Sequence, residues 1–280
     1  MKKAKRIAVA GATGMVGQAF QNLLEKNFFP EVEVDLLASQ KSKGRLVTFR
    51  GKEHIIKDLS EYDFSNTDLA LFSAGASVSA EYAPKAVSQG CVVVDNSSCF
   101  RYDDDIALIV PEVNGNELSN YDLPTIIANP NCSTIQMLVA LKPIHEEFKI
   151  KRIDITTMQA VSGTGKEATE ELLDQLSAYQ GDNELEKNVY PKQIANNALP
   201  HCGVMGDNRY TEEESKLLKE THKILDSNIH VSATCVRVPV LNGHSESLHI
   251  LTEKPLTEDA VVKLLRNSPG LKVHYDLGAN

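Results

Sequence analysis

The sequence predicts an α/β protein of two domains. Three observations carry that prediction. Strand-like and helix-like runs alternate through the first half, and a glycine-rich turn joins the first strand to the first helix. The second half mixes long helical patterns with strongly β-forming runs. With 280 residues, 42% of them hydrophobic, the chain can bury a substantial core. We divide it at 1–129 and 130–280.

Arg6–Ala10 is a short β-type run. It leads into Gly11-Ala-Thr13-Gly14-Met15-Val16-Gly17 and then the helical pattern Ala19, Phe20, Leu23, Leu24. Glycine at 11 permits a tight turn, and glycine at 14 lets backbone approach a pyrophosphate. At 17 it allows the helix to lie close to the sheet, with its N-terminus toward the phosphates. The spacing is G-x-x-G-x-x-G, a weak pattern alone, which a structural turn would also satisfy. Its place between the first strand and the first helix makes it a Rossmann-type dinucleotide site. A second strand, Val32–Ala38, ends in Ser39-Gln-Lys41-Ser42-Lys43-Gly44. NAD sites usually carry an acidic residue near this point to hold the ribose 2′-hydroxyl. Hydroxyls and cations stand there instead and suit the 2′-phosphate of NADP (NADPH), with a solvated lysine loop as the alternative.

Further strand-like runs follow at Leu69–Ala74, Val92–Asp95, Ile106–Val110 and Thr125–Ala128, with a helix pattern at Ser79–Gln89. In a parallel sheet, ligands gather at the carboxyl ends of strands. Ser73 lies at one such end, and Asn96-Ser97-Ser98-Cys99-Phe100-Arg101 at another. Arg101 there can grip a phosphoryl group or be an ordinary surface arginine.

The second half supplies the chemistry. Cys132 sits in Ala128-Asn-Pro-Asn131-Cys-Ser-Thr134, ahead of the apolar stretch Ile135–Leu141 that begins a helix reaching about Phe148. Ser133 or Thr134 can cap that helix, whose start should favour thiolate over thiol and make Cys132 a nucleophile. A strand, Arg152–Ala160, delivers Gln159, which can bind a thioester carbonyl or simply end a strand. The turn Ser162-Gly163-Thr-Gly follows and suits a nicotinamide amide or ribose, and then comes a helix at Lys166–Tyr179. Residues 181–210 read as an irregular excursion. From about Thr211 a helix places Glu213 and Lys216 on one face, as catalytic groups or as a plain surface ion pair. In Val231–Val240, Arg237 faces opposite to its valine neighbours, toward either a cleft or solvent. His244 occupies a turn between two β-type runs, and its ordinary pKa suits proton exchange near neutrality. A last β-type stretch is Leu271–Tyr275.

The net charge of −9 argues against nucleic acid or an anionic membrane as the main partner. The five cysteines, at 91, 99, 132, 202 and 235, contain no C-x-x-C pair, so neither a disulfide scaffold nor a structural metal site is expected. No apolar run is long enough to span a membrane, and no signal-peptide core follows the first lysines, so a cytoplasmic protein is expected.

The motifs GATGMVG (11–17), NSSCFR (96–101), NPNCST (129–134), QAVSGTG (159–165), EESK (213–216) and RVPVLNGHSE (237–246) together resemble the aspartate-β-semialdehyde dehydrogenases, in family order along almost the whole chain. The resemblance implies a Rossmann-type domain followed by an α+β substrate and dimerisation domain similar to that of glyceraldehyde-3-phosphate dehydrogenases. It implies a nucleophile at Cys132, an orienting amide at Gln159 and an acid/base at His244. Arg237 would hold the substrate carboxylate and Glu213 its amino group, with Arg101 and Lys216 around phosphate and Ser98 and Asn131 beside them. Ser39, Lys41 and Ser42 are similar to the family's NADP-phosphate loop, and Ser73, Ser162 and Gly163 join the cofactor contacts. The implied reaction is NADPH-dependent reductive dephosphorylation of L-4-aspartyl phosphate, releasing inorganic phosphate, in lysine, diaminopimelate, threonine and methionine biosynthesis. A homodimer is implied as well. The related N-acetyl-γ-glutamyl-phosphate reductases share the chemistry but carry Pro-Gly-Cys-Tyr-Pro-Thr at the cysteine. Two departures stand out: His201–Met205 reads differently from the family, and members usually continue well beyond the equivalent of Asp276. The chain therefore reads as a short or incomplete member, with an impaired NADP-binding protein as the alternative.

Overall fold

The computed structural model describes residues 4–28, 31–179 and 185–274. The chain splits into two compact units, Met1–Ile109 with Asn116–Pro130, and Val110–Gly115 with Asn131–Asn280. In the first unit the strands are β1 Arg6–Ala10, β2 Glu33–Ala38, β3 Leu46–Phe49, β4 Lys52–Ile55, β5 Lys57–Asp58, β6 Leu69–Phe72, β7 Val92–Asp95, β8 Ala107–Leu108 and β9 Ile126–Ala128. Its main helices are α1 Met15–Leu23 and α2 Ala76–Ser88. Seven strands form one parallel sheet in the order β5-β2-β1-β6-β7-β9-β8.

Central β1 has its last four residues fully buried, which is why it reads as an unbroken apolar run. Ile7, Val9, Val34, Leu36, Phe49 and Ile56 belong to the core on one face. Because β2 lies on one side of β1 and β6 on the other, the chain reverses direction across the sheet at β1, so the loop after it opens into a crevice. The runs expected at Ile106–Val110 and Thr125–Ala128 shorten to β8 and β9. The β3–β4 hairpin was not anticipated; its residues Leu46 and Ile55 are exposed, so apolar patterning gives it little signal.

The second unit contains α3 Pro111–Asn114, α4 Cys132–Phe148, β10 Ile150–Gln159, α5 Lys166–Tyr179, α6 Glu212–Ile224, β11 His230–Arg237, β12 Ser245–Thr252 and α7 Glu258–Arg266. Strand β10 is central, parallel to β11 and antiparallel to β12. Period-two alternation buries Ile153, Ile155, Thr157 and Gln159 and leaves Thr156 and Met158 on the open face. Helix α6 starts with a capping box, Thr211 accepting from the Glu214 amide while Glu214 accepts from the Thr211 amide. Residues 271–274 form no strand, against expectation, and Tyr275 lies outside the described residues, as do 181–184 of the irregular excursion. Among the described residues no helix is long and apolar enough to cross a membrane.

Candidate active site

In the first unit, a cavity of about 640 Å³ opens beside the glycine turn, lined among others by Gly11, Thr13, Gly14, Ser39 and Ser73. A Cβ on Gly11 would stand 2.3 Å from the Ser73 carbonyl oxygen, and one on Gly17 only 2.1 Å from the Gly11 oxygen. The backbone therefore needs glycine at both places, the first also for its φ of +85°. Helix α1 begins at Met15 with no side-chain cap, so Met15, Val16 and Gly17 contribute first-turn amides rather than cavity wall. This cradle fits a dinucleotide pyrophosphate.

Lys41 and Ser42 stand on the 3-10 turn Gln40–Ser42, just past the lining residues. Lys43 is committed elsewhere, in a 2.5 Å ion pair with Glu61. Of the two sequence alternatives for Arg101, the structure excludes one. The residue is no surface arginine, being 6% exposed, and its Nε and Nη2 donate to the carbonyls of Ser97 and Asn96 on its own loop, which also carries Ser98. Fully buried Asp95 organises that loop, accepting from Ser79 Oγ, Ser97 N and Ser97 Oγ.

In the second unit, Cys132 is the first residue of α4. The cap is Asn131, whose side-chain oxygen accepts from the Ser133 amide at 3.0 Å, and not Ser133 or Thr134 as the sequence suggested. Ser133 Oγ instead receives Gln159 Nε2 at 2.8 Å, tying the helix start to the end of β10.

His244 Nε2 lies 3.2 Å from Cys132 Sγ, so the two residues that sequence could not show to meet do meet. Local pairing explains how. The segment after β10 runs beside that after β11, with Val161 N on Val240 O and Ser162 N on Leu241 O. The Ala160 peptide then holds two side chains: its N–H donates to His244 Nδ1 at 3.0 Å and its carbonyl accepts from Arg237 Nη1 at 2.6 Å. With Nδ1 accepting, neutral His244 carries its proton on Nε2, facing the sulfur. Gly163 makes room, since a Cβ there would stand 3.2 Å from Arg237 Nη1 and 3.3 Å from His244 Nε2.

Arg237, opposite Gln159 in the sheet register, faces inward and is 6% exposed. Its Nε is buried without a hydrogen-bond partner, a donor suited to an incoming carboxylate. Glu213 accepts from Lys216 Nζ at 2.9 Å, Asn131 Nδ2 at 2.9 Å and Gln159 Nε2 at 3.4 Å. The pair is no plain surface bridge, because both side chains are largely enclosed. Burial opposes charge on Glu213, but Lys216 and the two amides outweigh it and hold the carboxyl below its ordinary range. Burial likewise opposes charge on Lys216, which Glu213 and Glu212 raise above the ordinary range.

The helix start does not win at Cys132. Desolvation first, then the Glu213 charge, push the thiol above its ordinary value, while the Ser133 amide and hydroxyl and Arg237 pull less strongly the other way. Desolvation and then Arg237 push His244 below its ordinary value. The resting pair is therefore a neutral thiol beside a neutral imidazole. Among the described residues no His, Cys, Asp or Glu group could hold a metal ion.

A dinucleotide cradle in one unit and a cysteine–histidine pair at a helix start in the other are the parts of a nucleotide-dependent enzyme that works through a cysteine. Two family profiles agree: "Semialdehyde dehydrogenase, NAD binding domain" matches residues 6–121, and "Semialdehyde dehydrogenase, dimerisation domain" matches residues 141–278. The chain is 53% identical over 274 residues to the aspartate-semialdehyde dehydrogenase of Legionella pneumophila, covering 98% of this chain and 79% of that protein. The Aquifex aeolicus aspartate-semialdehyde dehydrogenase is 51% identical over 271 residues, covering 96% and 80%. A crystal structure of aspartate semialdehyde dehydrogenase II from Vibrio cholerae, complexed with ASA, superposes with a TM-score of 0.94 at 44% identity, covering 97% of this chain and 81% of that one. The chain belongs to the aspartate-semialdehyde dehydrogenase family.

Proposed function

We propose that this chain reductively dephosphorylates L-4-aspartyl phosphate to L-aspartate 4-semialdehyde through a thioester on Cys132, in the pathway to lysine, diaminopimelate, threonine and methionine. The 3.2 Å approach of His244 Nε2 to Cys132 Sγ, inside the family's motifs, carries the reading. The Cys132 sulfur attacks the acyl carbon and forms a C–S bond while its thiol proton passes, by exchange with the His244 Nε2–H it faces, to the phosphate, which leaves with the electrons of the broken C–O bond. NADPH, when bound, supplies the hydride that reduces the thioester. The C–S bond then breaks, and the aldehyde carbonyl forms as the thiolate departs. His244 keeps a proton on Nε2, where it hydrogen-bonds whichever atom carries negative charge and exchanges that proton as needed. Gln159 and the first-turn amides of α4 supply hydrogen-bond donors for the substrate oxygen as it develops charge.

Arg237 Nε receives the substrate carboxylate and Glu213 its amino group, with Lys216, Asn131, Arg101 and Ser98 serving the phosphate side. Ser39, Lys41 and Ser42 favour NADP over NAD, and Ser162 and Gly163 meet its nicotinamide end. A homodimer forms through the open face of the β10 sheet, where Met158 is 39% and Leu251 59% exposed. The five free cysteines suit a reducing cytoplasm. Cys132→Ser tests the mechanism: turnover is abolished while NADPH titration is nearly unchanged. Retention of more than about a tenth of the wild-type rate would remove Cys132 from the reaction.

A further inference from the structure

The residue before the nucleophile is gripped by two carboxylates from one helix. Glu213 and Glu220 lie seven positions apart on α6 and so share a face. Glu213 Oε2 accepts from the side-chain amide of Asn131 at 2.9 Å, and Glu220 Oε2 accepts from its backbone N–H at 2.7 Å. Glu220 is 0% exposed, whereas its neighbours Lys219 and Lys223 on the helix are not fully buried. On the other side of Cys132, Ser133 is fixed by the Asn131 cap and by Gln159. Asn131 and Ser133 are thus buried and bonded while Cys132 between them is exposed. The backbone is locked on both sides, and the thiol is left accessible.

We propose that Glu220 is a positioning residue for the reaction: by holding the Asn131 amide it sets the first turn of α4, and with it the placement of Cys132 Sγ against His244 Nε2. This rests on reading Cys132 and His244 as the reacting pair. A bond from a backbone amide to a buried carboxylate is strong and directional. A nucleophile displaced by about 1 Å can lose about 100-fold in rate, so a contact one residue away has leverage without touching substrate. No motif marks Glu220. It lies within Lys-Glu-Thr-His-Lys, 89 positions from its partner, and only the fold joins them.

The test uses the full chain with Glu220→Ala, which removes the acceptor, and Glu220→Gln, which keeps a carbonyl oxygen in its place. Turnover is followed in the reverse direction, with semialdehyde, phosphate and NADP. In parallel, the rate of Cys132 alkylation by iodoacetamide is measured across pH. Glu220→Ala should lower kcat about 30-fold while the KM values for phosphate and NADP stay within about twofold, and should alter the pH profile of alkylation. Glu220→Gln should restore kcat to within about threefold of wild type. The proposal is overturned if Glu220→Ala keeps both the wild-type kcat and the alkylation profile. It is also overturned if Glu220→Gln is as impaired as Glu220→Ala, or if kcat falls only with the folded fraction and the alkylation profile is unchanged. Retention of more than about a tenth of wild-type turnover by Cys132→Ser would instead overturn the reading of the pair, and the role of Glu220 with it.

Discussion

Glu246, two residues beyond His244, should make the protein less stable as pH rises, and Glu246→Gln should remove that dependence. Burial pushes its carboxyl from the usual 4.5 up to about 7, with the Gln136 side chain opposing. Its Oε1 is buried without a hydrogen-bond partner, and Thr157 lies directly opposite in the β10–β12 register. Cys235, across the other edge of β10 from Thr157, is a thiol that burial pushes up to about 12 and so stays neutral. The folded state therefore prefers Glu246 protonated. Its contribution is fully present below about 4.5 and is lost as pH rises through about 7. The shift corresponds to at most about 3 kcal/mol, and solvent screening of a carboxyl that is only partly enclosed brings this to about 1–2 kcal/mol. Urea unfolding of wild type and Glu246→Gln at pH 5 and pH 8, at one protein concentration, reads it directly. Relative to wild type, the variant should gain about 1–2 kcal/mol between the two pH values. An equal difference at both would show that Glu246 ionises freely in the fold and would refute the reasoning.

Gly163→Ala should cut kcat about tenfold with stability within about 1 kcal/mol, because its Cβ would push on Arg237 and His244 rather than on core; steady-state rates and thermal unfolding check it. Lys41→Ala should narrow the NADPH-over-NADH preference about tenfold, or about 1.4 kcal/mol, as read by cofactor titration. Equal weakening for both cofactors would assign Lys41 to the fold instead.

What was legible in the sequence was local or periodic. Helix α5, spanning Lys166–Tyr179, and strand β7, spanning Val92–Asp95, announce themselves by apolar spacing, and the glycines at 11 and 17 by a turn that no other residue can make. Cys132 and His244 could be picked out because few side chains do their chemistry, yet their 3.2 Å approach depends on strand pairing around Ala160. The cap of α4 went to Asn131 because its side chain reaches the Ser133 amide from outside the helix, whereas Ser133 and Thr134 already lie inside it. The burial of Arg101 has no sequence signal, because among the groups that hold it are carbonyls of its own loop, which carry no side-chain signature. The raised thiol has no sequence signal, since a helix start is visible in sequence while the desolvating neighbours that the fold brings up and the nearness of Glu213 are not.

That last point has a consequence for how the site is switched on. Glu213 is the largest charged contributor to the raised Cys132 thiol, second only to desolvation. If the substrate's ammonium docks on Glu213, the same event that positions the substrate cancels this charge and releases the thiolate when an acyl group is present to receive it. Before docking, the thiol is protected as the neutral form. Glu213→Gln separates the two effects. The amide oxygen still accepts from Asn131, and Lys216 keeps Glu212 at 2.9 Å, so the local frame survives while the charge is gone. Alkylation of Cys132 by iodoacetamide at pH 7 should therefore speed up about threefold in the variant, while turnover slows because the ammonium has lost its partner. A faster cysteine in a slower enzyme is the signature. Alkylation at or below the wild-type rate would show that Glu213 does not restrain the thiol, and the proposed link between substrate binding and nucleophile activation would fall.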